Sequence, residues 1–134
     1  MRAVLDPNVL IAAVLSRSGT PAMILRAWLD GRFDLLVSEA LLTELERALG
    51  YPKLAARISA EERSSFLELL RAAATPADDP ADVPRVSADP GDDYLVALAH
   101  SEHALLVSGD QHLLALSDRM PVMNPRAFLE SLPD

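Results

Sequence analysis

Short apolar runs alternate along the chain with longer stretches in which apolar residues recur every three or four positions. The short runs are RAVLD at 2–6, FDLLVS at 33–38, ALLVS at 104–108 and PVM at 121–123. Their apolar residues are consecutive rather than alternating with polar ones, which is typical of strands buried on both faces. The pattern therefore predicts a parallel sheet covered by helices on both sides.

The stretches between these runs carry helix signals. Thr20 is predicted to cap a helix whose first residue is Pro21. Ser38 is predicted to cap a helix over 39–49, and Ser59 opens a capping-box match for a helix over about 60–74. Shorter or later helices are predicted at 53–57, from Asp92–Asp93 through YLVALAHSEH, in QHLLALS and in PRAFLESL.

Residues 75–91 contain four of the ten prolines and read as an exposed connection with a short extended piece at 83–87. The 43 residues that follow are too few for a core of their own, so residues 1–134 are interpreted as one domain. The order of elements predicts a three-layer α/β/α sandwich with a central parallel sheet of 4–5 strands.

Composition narrows the chemistry. Half of the residues are hydrophobic, there is no cysteine, and the net charge is −8. These values exclude disulfides, thiolate zinc sites and cysteine nucleophiles, and argue against a passive nucleic-acid binder with a basic face. An enzyme that reaches phosphates through bound cations is not excluded. With no signal-peptide pattern and no membrane-length apolar run, the chain is expected to be soluble, cytoplasmic and free of membrane contact.

Aspartates stand where a parallel sheet places its ligand site. Asp6 ends the first predicted strand and Asp110 lies two residues past the third. If the third strand lies on the opposite side of the first strand from the second, both acids face the crevice at the carboxyl ends of the strands. Asp92 and Asp93 sit at a helix N-terminus, where they serve either as caps or as further site residues.

Helical spacing leaves a tie on helix 39–49, because Glu44 and Glu46 flank its apolar face from opposite edges. The remaining candidates look like turn or loop residues: Asp30, Asp34, Asp78, Asp79, Asp82 and Asp118. Clustered carboxylates repel one another unless cations join them, and oxygen ligands suit Mg²⁺ or Mn²⁺. Two such ions can activate water and stabilise the leaving oxygen of a phosphodiester.

Other chemistries find less support. The chain has no GxSxG motif and no glycine-rich phosphate loop. A zinc site using His100, His103 and His112 is a minor alternative. A phosphotransfer domain is weaker still: Asn8 stands where a dehalogenase-type motif needs aspartate, and the only lysine, Lys53, is misplaced for a receiver domain.

Four segments, in order, resemble one family. VLDPNVLIAAVLS resembles the LDTNVLVSALLS opening of PIN domains, and SEALLTELERALGYPKL resembles their S-x-x-LL-x-EL-x-x-VL-x-x-PKL segment. DPGDDYLVALAHSEHALLVSGDQHLL and VMNPRAFLESL resemble the third and fourth segments, D-P-D-D-x-x-LALA…LVTGD-x-DLL and IVTPAEFLELL. The nearest resemblance is to VapC-like toxin components of toxin–antitoxin systems.

The resemblance implies an Mg²⁺- or Mn²⁺-dependent endoribonuclease. Asp6, Glu44, Asp92 and Asp110 match the family's acids, as catalytic and metal-holding residues, which resolves the tie between Glu44 and Glu46. Asp93 is a candidate additional ligand, and Asn8 and Ser108 match residues that support the acids.

The resemblance also implies partners: an RNA substrate, a cognate antitoxin protein, and a homodimer as one candidate assembly. Two departures bear on rate. Pro7 replaces the usual threonine or serine, which removes a hydroxyl and a backbone N–H near Asp6, and Gln111-His112 replaces the commoner x-Asp. The alternative function is therefore a PIN-fold module that binds nucleic acid or protein with impaired catalysis.

Overall fold

A five-stranded parallel sheet forms the centre of the computed structural model, which describes residues 1–133. The strand order is β3-β2-β1-β4-β5, so β1 lies in the middle with β2 and β4 on opposite sides. The bounds are β1 Arg2–Leu5, β2 Asp34–Val37, β3 Thr75–Pro76, β4 Leu105–Val107 and β5 Val122–Met123. This confirms the predicted parallel sheet. It also places the third predicted strand, β4, on the opposite side of β1 from β2.

Helices flank the sheet and confirm the α/β/α prediction. Their bounds are α1 Pro7–Leu15, α2 Thr20–Leu29, α3 Glu39–Leu49, α4 Pro52–Ala55, α5 Ala60–Ala73, α6 Pro90–Ser101, α7 Gln111–Leu114 and α8 Pro125–Ser131. Ser38 caps α3 by accepting from the Leu41 N–H, and Ser59 and Glu62 form the predicted capping box of α5.

The core is mainly aliphatic and occupies both faces of the sheet. Ala3, Val4 and Leu5 follow one another in β1 and are all buried, and because successive strand residues point to opposite faces, helices must cover both. Phe33 and Phe128 make an edge-to-face pair with ring centroids 5.0 Å apart. The prediction of strands with consecutive apolar residues is thus explained by two-sided burial.

Several predicted boundaries are wrong. Gly19, not Thr20, is the N-cap of α2, and it makes no side-chain capping bond. Helix α6 begins at Pro90 with Asp89 as its N-cap, so Asp92 and Asp93 lie inside its first turn. The short helix predicted at 53–57 is α4, three residues of which overlap the prediction.

The proline-rich connection also differs from its prediction. Residues 83–87 form no strand; the extended piece is instead β3, which pairs with β2 in register Leu36 to Thr75. Helix α1 occupies an apolar run that carried no prediction, because Val9, Leu10 and Ile11 are all buried and leave no polar face to show a helical period.

The register of β1 and β4 aligns their carboxyl ends. Leu5 pairs with Val107, so Asp6 and Ser108 follow at the same level of the sheet.

Within residues 1–133 no single helix is long and apolar enough to cross a membrane. Helices α1 and α2 reach that length and composition only as a pair bent by 99°.

Candidate functional site

Asp6 is a buried carboxylate at the carboxyl end of the central strand. Its backbone N–H donates to the Val107 carbonyl at 2.9 Å, which extends the β1–β4 pairing by one residue. Its Oδ1 accepts from the Asn8 backbone N–H at 3.0 Å, and its Oδ2 accepts from the Ser108 hydroxyl at 2.8 Å. Both oxygens therefore have partners, which makes the burial of this acid tolerable.

Burial nevertheless raises the pKa of Asp6, with a smaller contribution in the same direction from the charge of Asp110, while the Asn8 and Ser108 hydrogen bonds lower it. Desolvation disfavours the charged form of a carboxyl group, and a neighbouring negative charge does the same. A bound cation would therefore favour the charged form of Asp6 and lower its pKa.

Ser108 links Asp6 to Asp110. Its side chain is fully buried, and its hydroxyl oxygen accepts from the Asp110 backbone N–H at 3.0 Å while the hydroxyl donates to Asp6. The Asp110 side chain caps α7 by accepting from the His112 N–H at 2.8 Å. Ser108 therefore fixes the side chain of Asp6 and the backbone of Asp110.

Asp92 projects from the first turn of α6 into the same region. The pKa of Asp92 is raised to about 6 by burial first, then by the charges of Asp110, Asp89 and Asp6, with His112 acting in the opposite direction. Two of these acids, Asp6 and Asp110, follow β1 and β4, and Asp89 is the N-cap of α6 itself. They lie on one edge of the sheet, as the sequence pattern predicts.

Glu44 borders this region from α3. It lines a pocket of about 540 Å³ together with Asp6, Asp89 and Asp92. Its two oxygens pair with one guanidinium: Arg47 Nη2 lies 2.5 Å from Oε1 and Nε lies 3.1 Å from Oε2. In this structure the Glu44 carboxylate therefore forms an ion pair with Arg47. Glu46 does not line this pocket.

A second pocket of about 380 Å³ adjoins the first. It is lined by Asp110 and Gly109 on one side and by α1 residues on the other. Asp6 and Asn8 line both pockets, so Asp6 is the carboxylate shared between the Asp92 side and the Asp110 side.

Asp93 points elsewhere. Its side chain is buried and lines neither pocket. Its Oδ1 accepts from the backbone N–H groups of Val86 and Ser87 at 3.0 and 2.8 Å and from the Ser87 hydroxyl at 2.8 Å. These hydrogen bonds, that from Val86 first, lower the pKa of Asp93. Asp93 therefore anchors the loop that precedes α6 through Val86 and Ser87.

The positions next to Asp6 have different contacts. Asn8 contributes its backbone N–H to Asp6, while its side chain is exposed. Pro7 is the first residue of α1 and lines the larger pocket.

Tyr94 and Asp79, neither of which was predicted for the site, enclose the larger pocket or brace it. The Tyr94 side chain lines the pocket, and its hydroxyl hydrogen-bonds to Ser38 and to Asp79. Asp79 also accepts from the Ala40 backbone N–H at 3.3 Å, which ties the loop after β3 to the start of α3. A tyrosine in an otherwise apolar helix, and one aspartate among several in a proline-rich loop, gave no signal in the sequence.

The donor set fits a hard divalent cation better than any other group. Among the aspartates here, the pKa values of Asp6 and Asp92 are raised first by burial and then by the charge of Asp110, so a cation would favour their charged forms. Within residues 1–133 no three aspartate, glutamate or histidine side chains approach closely enough to form a complete ligand cage, and this holds for the zinc alternative too. Mg²⁺ keeps several waters and needs only one or two carboxylates, so the arrangement is compatible with it.

Known proteins share this fold. The solved structure of PAE2754 from Pyrobaculum aerophilum matches with a TM-score of 0.69 at 19% identity, covering 97% of this chain and 88% of that one. The structure of VapBC2 from Rickettsia felis bound to a DNA fragment from their promoter matches with a TM-score of 0.66 at 16% identity, covering 92% and 98%.

A protein of Methanocaldococcus jannaschii, the uncharacterized protein MJ1680, is 25% identical over 142 residues, which cover 97% of this chain and 90% of that protein. The family model described as PIN domain matches residues 2–112, a span that carries Asp6, Glu44, Asp92 and Asp110. That match covers most of the sequence and agrees with the sheet order and with the acids at its carboxyl edge, so the chain belongs to the PIN domain family.

Proposed function

We propose that this protein is a divalent-metal-dependent endoribonuclease that hydrolyses RNA phosphodiester bonds, and that it acts as the toxin of a toxin–antitoxin pair. PIN domains are generally nucleases, which supports the reaction class. The observation that carries the proposal is the placement of Asp6, Asp92 and Asp110 at the carboxyl edge of the sheet, where Asp6 lines both the pocket that Asp92 lines and the pocket that Asp110 lines.

The acids have distinct tasks in this proposal. Asp6, Asp92 and Asp110 would hold Mg²⁺ or Mn²⁺, one or two of them directly and the rest through water on the ion, with Glu44 at the border of the pocket. The ion, when bound, supplies a Lewis acid that lowers the pKa of water and offsets the charge of the phosphate. Ser108 keeps Asp6 and Asp110 in a fixed relation through its two hydrogen bonds. An acidic pocket without a cation would repel RNA, which explains why the proposed reaction needs the metal.

The toxin role rests on likeness to another protein. The structure of VapBC2 from Rickettsia felis bound to a DNA fragment from their promoter has the same fold as this chain. By analogy, the proposed partner is an antitoxin with a basic or apolar segment that enters the acidic pocket. The cytoplasmic location and the single-domain boundary at 1–134 stay predictions.

Cleavage of single-stranded RNA tests the proposal. The purified protein is expected to cut a mixed-sequence RNA with Mn²⁺ and to lose this activity in EDTA. Asp6→Asn removes the central carboxylate and is expected to abolish cleavage. Asp34→Asn is the matched control, because Asp34 is an exposed acid at the opposite, amino-terminal end of β2. A folded protein that cuts no RNA with any divalent metal would contradict the proposal.

The second candidate, a PIN-fold binding module with impaired catalysis, is favoured by the engagement of Glu44 with Arg47 and by Pro7. Titration with Mn²⁺ separates the two functions. A nuclease binds the ion and loses affinity in Asp110→Asn, whereas a module without catalysis shows no Mn²⁺ binding and no difference between that variant and the wild type.

A further inference from the structure

We propose that Arg47 is a substrate-binding residue that holds Glu44 in the absence of metal and pairs with an RNA phosphate once a divalent cation occupies the acids. The inference deepens the proposed nuclease function and rests on it. It starts from the contacts of one side chain at the edge of the larger pocket.

Arg47 carries the only cationic charge among the described residues that line the larger pocket. Every other charged group on that lining is an acid: Asp6, Glu44, Asp89 and Asp92. An RNA chain that places a phosphate in this pocket would meet repulsion from all four acids. A guanidinium at the rim offers a fork of N–H donors that matches two phosphate oxygens.

The same fork is occupied by Glu44 in this structure. Two guanidinium nitrogens of Arg47 contact the two Glu44 oxygens at 2.5 and 3.1 Å. Both side chains are half exposed, at 58% and 50%, so water screens the pair and its contribution to stability is small. A weak ion pair is easily exchanged for another anionic partner, and a phosphodiester presents two non-bridging oxygens that can accept from the same pair of N–H donors.

Tyr51 keeps the guanidinium at the rim. Arg47 donates to the Tyr51 hydroxyl, and the guanidinium carbon lies 5.5 Å from the centroid of the ring. Tyr51 follows the C-cap of α3, so the contact spans one helical turn. This support is independent of Glu44, and the side chain therefore stays near the pocket when Glu44 turns to another partner.

Metal and Arg47 compete for the same carboxylate. A divalent cation near Glu44 attracts its oxygens and repels the guanidinium, so binding of the ion favours release of Arg47. Removal of Arg47 therefore has opposite effects on two ligands: it is expected to strengthen Mn²⁺ binding and to weaken RNA binding. A residue that only braces α3 would move neither.

RNA affinity gives the first measurement. Binding of a fluorescein-labelled, mixed-sequence single-stranded RNA is measured by anisotropy in Ca²⁺, with wild type, Arg47→Ala and Arg71→Ala. Arg71 is the matched control, an exposed arginine paired with Glu39 on α3 that does not line the pocket. We expect Arg47→Ala to weaken binding about tenfold and to reduce the slope of log affinity against log salt by about 0.7, the value for one lost phosphate contact on a single strand.

Metal affinity gives the second measurement. In calorimetric titrations without RNA, Arg47→Ala is expected to bind Mn²⁺ about two- to fivefold more tightly than wild type, because one competing cation is gone. Arg71→Ala is expected to match wild type in both titrations. In cleavage assays Arg47→Ala is expected to raise KM with little change in kcat, since the phosphate contact is made equally before and during reaction.

The outcomes separate this inference from the function on which it rests. Wild type that cleaves RNA, together with an Arg47→Ala variant that binds RNA and Mn²⁺ as wild type does, overturns the role of Arg47 and leaves the nuclease standing. Equal weakening of RNA binding by Arg47→Ala and Arg71→Ala also overturns it, because net charge then explains the loss. Wild type with no cleavage in Mn²⁺ counts against the nuclease itself.

Discussion

The first turn of α6 presents two faces that treat the same residue type in opposite ways. On the pocket face, burial and the charges of nearby acids raise the pKa of Asp92 to about 6. On the loop face, hydrogen bonds from Val86 and Ser87 lower the pKa of its neighbour Asp93. Adjacent helical positions differ by about 100° around the axis, which is enough to separate the two environments.

This difference separates an acid whose charge is satisfied by the chain from one whose charge is not. Asp93 is buried, but its Oδ1 has three donors, so its charge is satisfied by the chain itself. The charges that raise the pKa of Asp92 are those of Asp110, Asp89 and Asp6, so a bound cation would favour its charged form. Burial alone therefore does not identify a candidate site residue. The more informative sign is a buried charge that lacks hydrogen-bond donors or cations from the chain.

Cleavage activity is expected to show the largest effect. Asp92→Asn keeps the size of the side chain but removes a charge that the proposed cation needs, so the rate should fall at least about 100-fold. Asp93→Asn retains an oxygen for the loop donors and should leave the rate within about threefold. Rates on one labelled RNA in Mn²⁺ check both values, and equal losses in the two variants would contradict the division of α6 into two faces.

Thermal stability should reverse the order of the two residues. Asp93→Ala strips the acceptor from the Val86 and Ser87 N–H groups and should lower Tm by about 5 °C. Asp92→Ala removes no hydrogen bond recorded in the described structure and should not lower Tm. Scanning calorimetry in EDTA measures both, with circular dichroism at low temperature as the check that each variant folds. An unchanged Tm for Asp93→Ala would remove its structural role.

The pH dependence gives a smaller effect with a defined sign. A carboxyl group whose pKa is raised from 3.8 to about 6 on folding adds no penalty below pH 3.8 and a full penalty above pH 6. Without metal, Asp92→Asn should therefore raise Tm by about 3 °C at pH 7.5, with the gain fading as the pH falls through this window. Added Mn²⁺ should stabilise the wild type and not the variant. A gain that is the same at pH 4 and pH 7.5 would rule out titration as its cause.

Pro7 is expected to give the smallest effect. Pro7→Thr adds beside Asp6 the hydroxyl and the backbone N–H that proline lacks. The Asn8 N–H and the Ser108 hydroxyl already engage both Asp6 oxygens, so the cleavage rate should stay within about twofold. Single-turnover kinetics in Mn²⁺ measure this rate. A rise well beyond that range would mean that the missing hydroxyl limits the site.

Much of the fold was predictable because its strands are buried on both faces. Consecutive apolar residues such as Val4-Leu5 and Leu35-Leu36 identified the strands, and Ser38 and Ser59 identified the starts of two helices through their side-chain caps. The two-residue strand β3 could not be predicted, because Thr75–Pro76 is too short to show a period and a proline marks it as a loop.

The candidate site was predictable only in part. Strand ends pointed to Asp6 and Asp110, since the carboxyl edge of a parallel sheet is where ligands bind. Helical residues were harder: spacing left Glu44 and Glu46 tied, and Asp92 and Asp93 share one turn. Pairs that form between distant segments, such as Tyr94 with Asp79, depend on tertiary packing and leave no local pattern.

Calorimetric titration of Mn²⁺ into the metal-free protein tests the central claim most directly, because it asks whether the acids at the carboxyl edge form one cation site. The account predicts saturable binding by wild type and by Asp34→Asn, and loss of that binding in Asp6→Asn, Asp92→Asn and Asp110→Asn. Wild type that binds no Mn²⁺, or Asp6→Asn that binds it as tightly as wild type, would contradict the account.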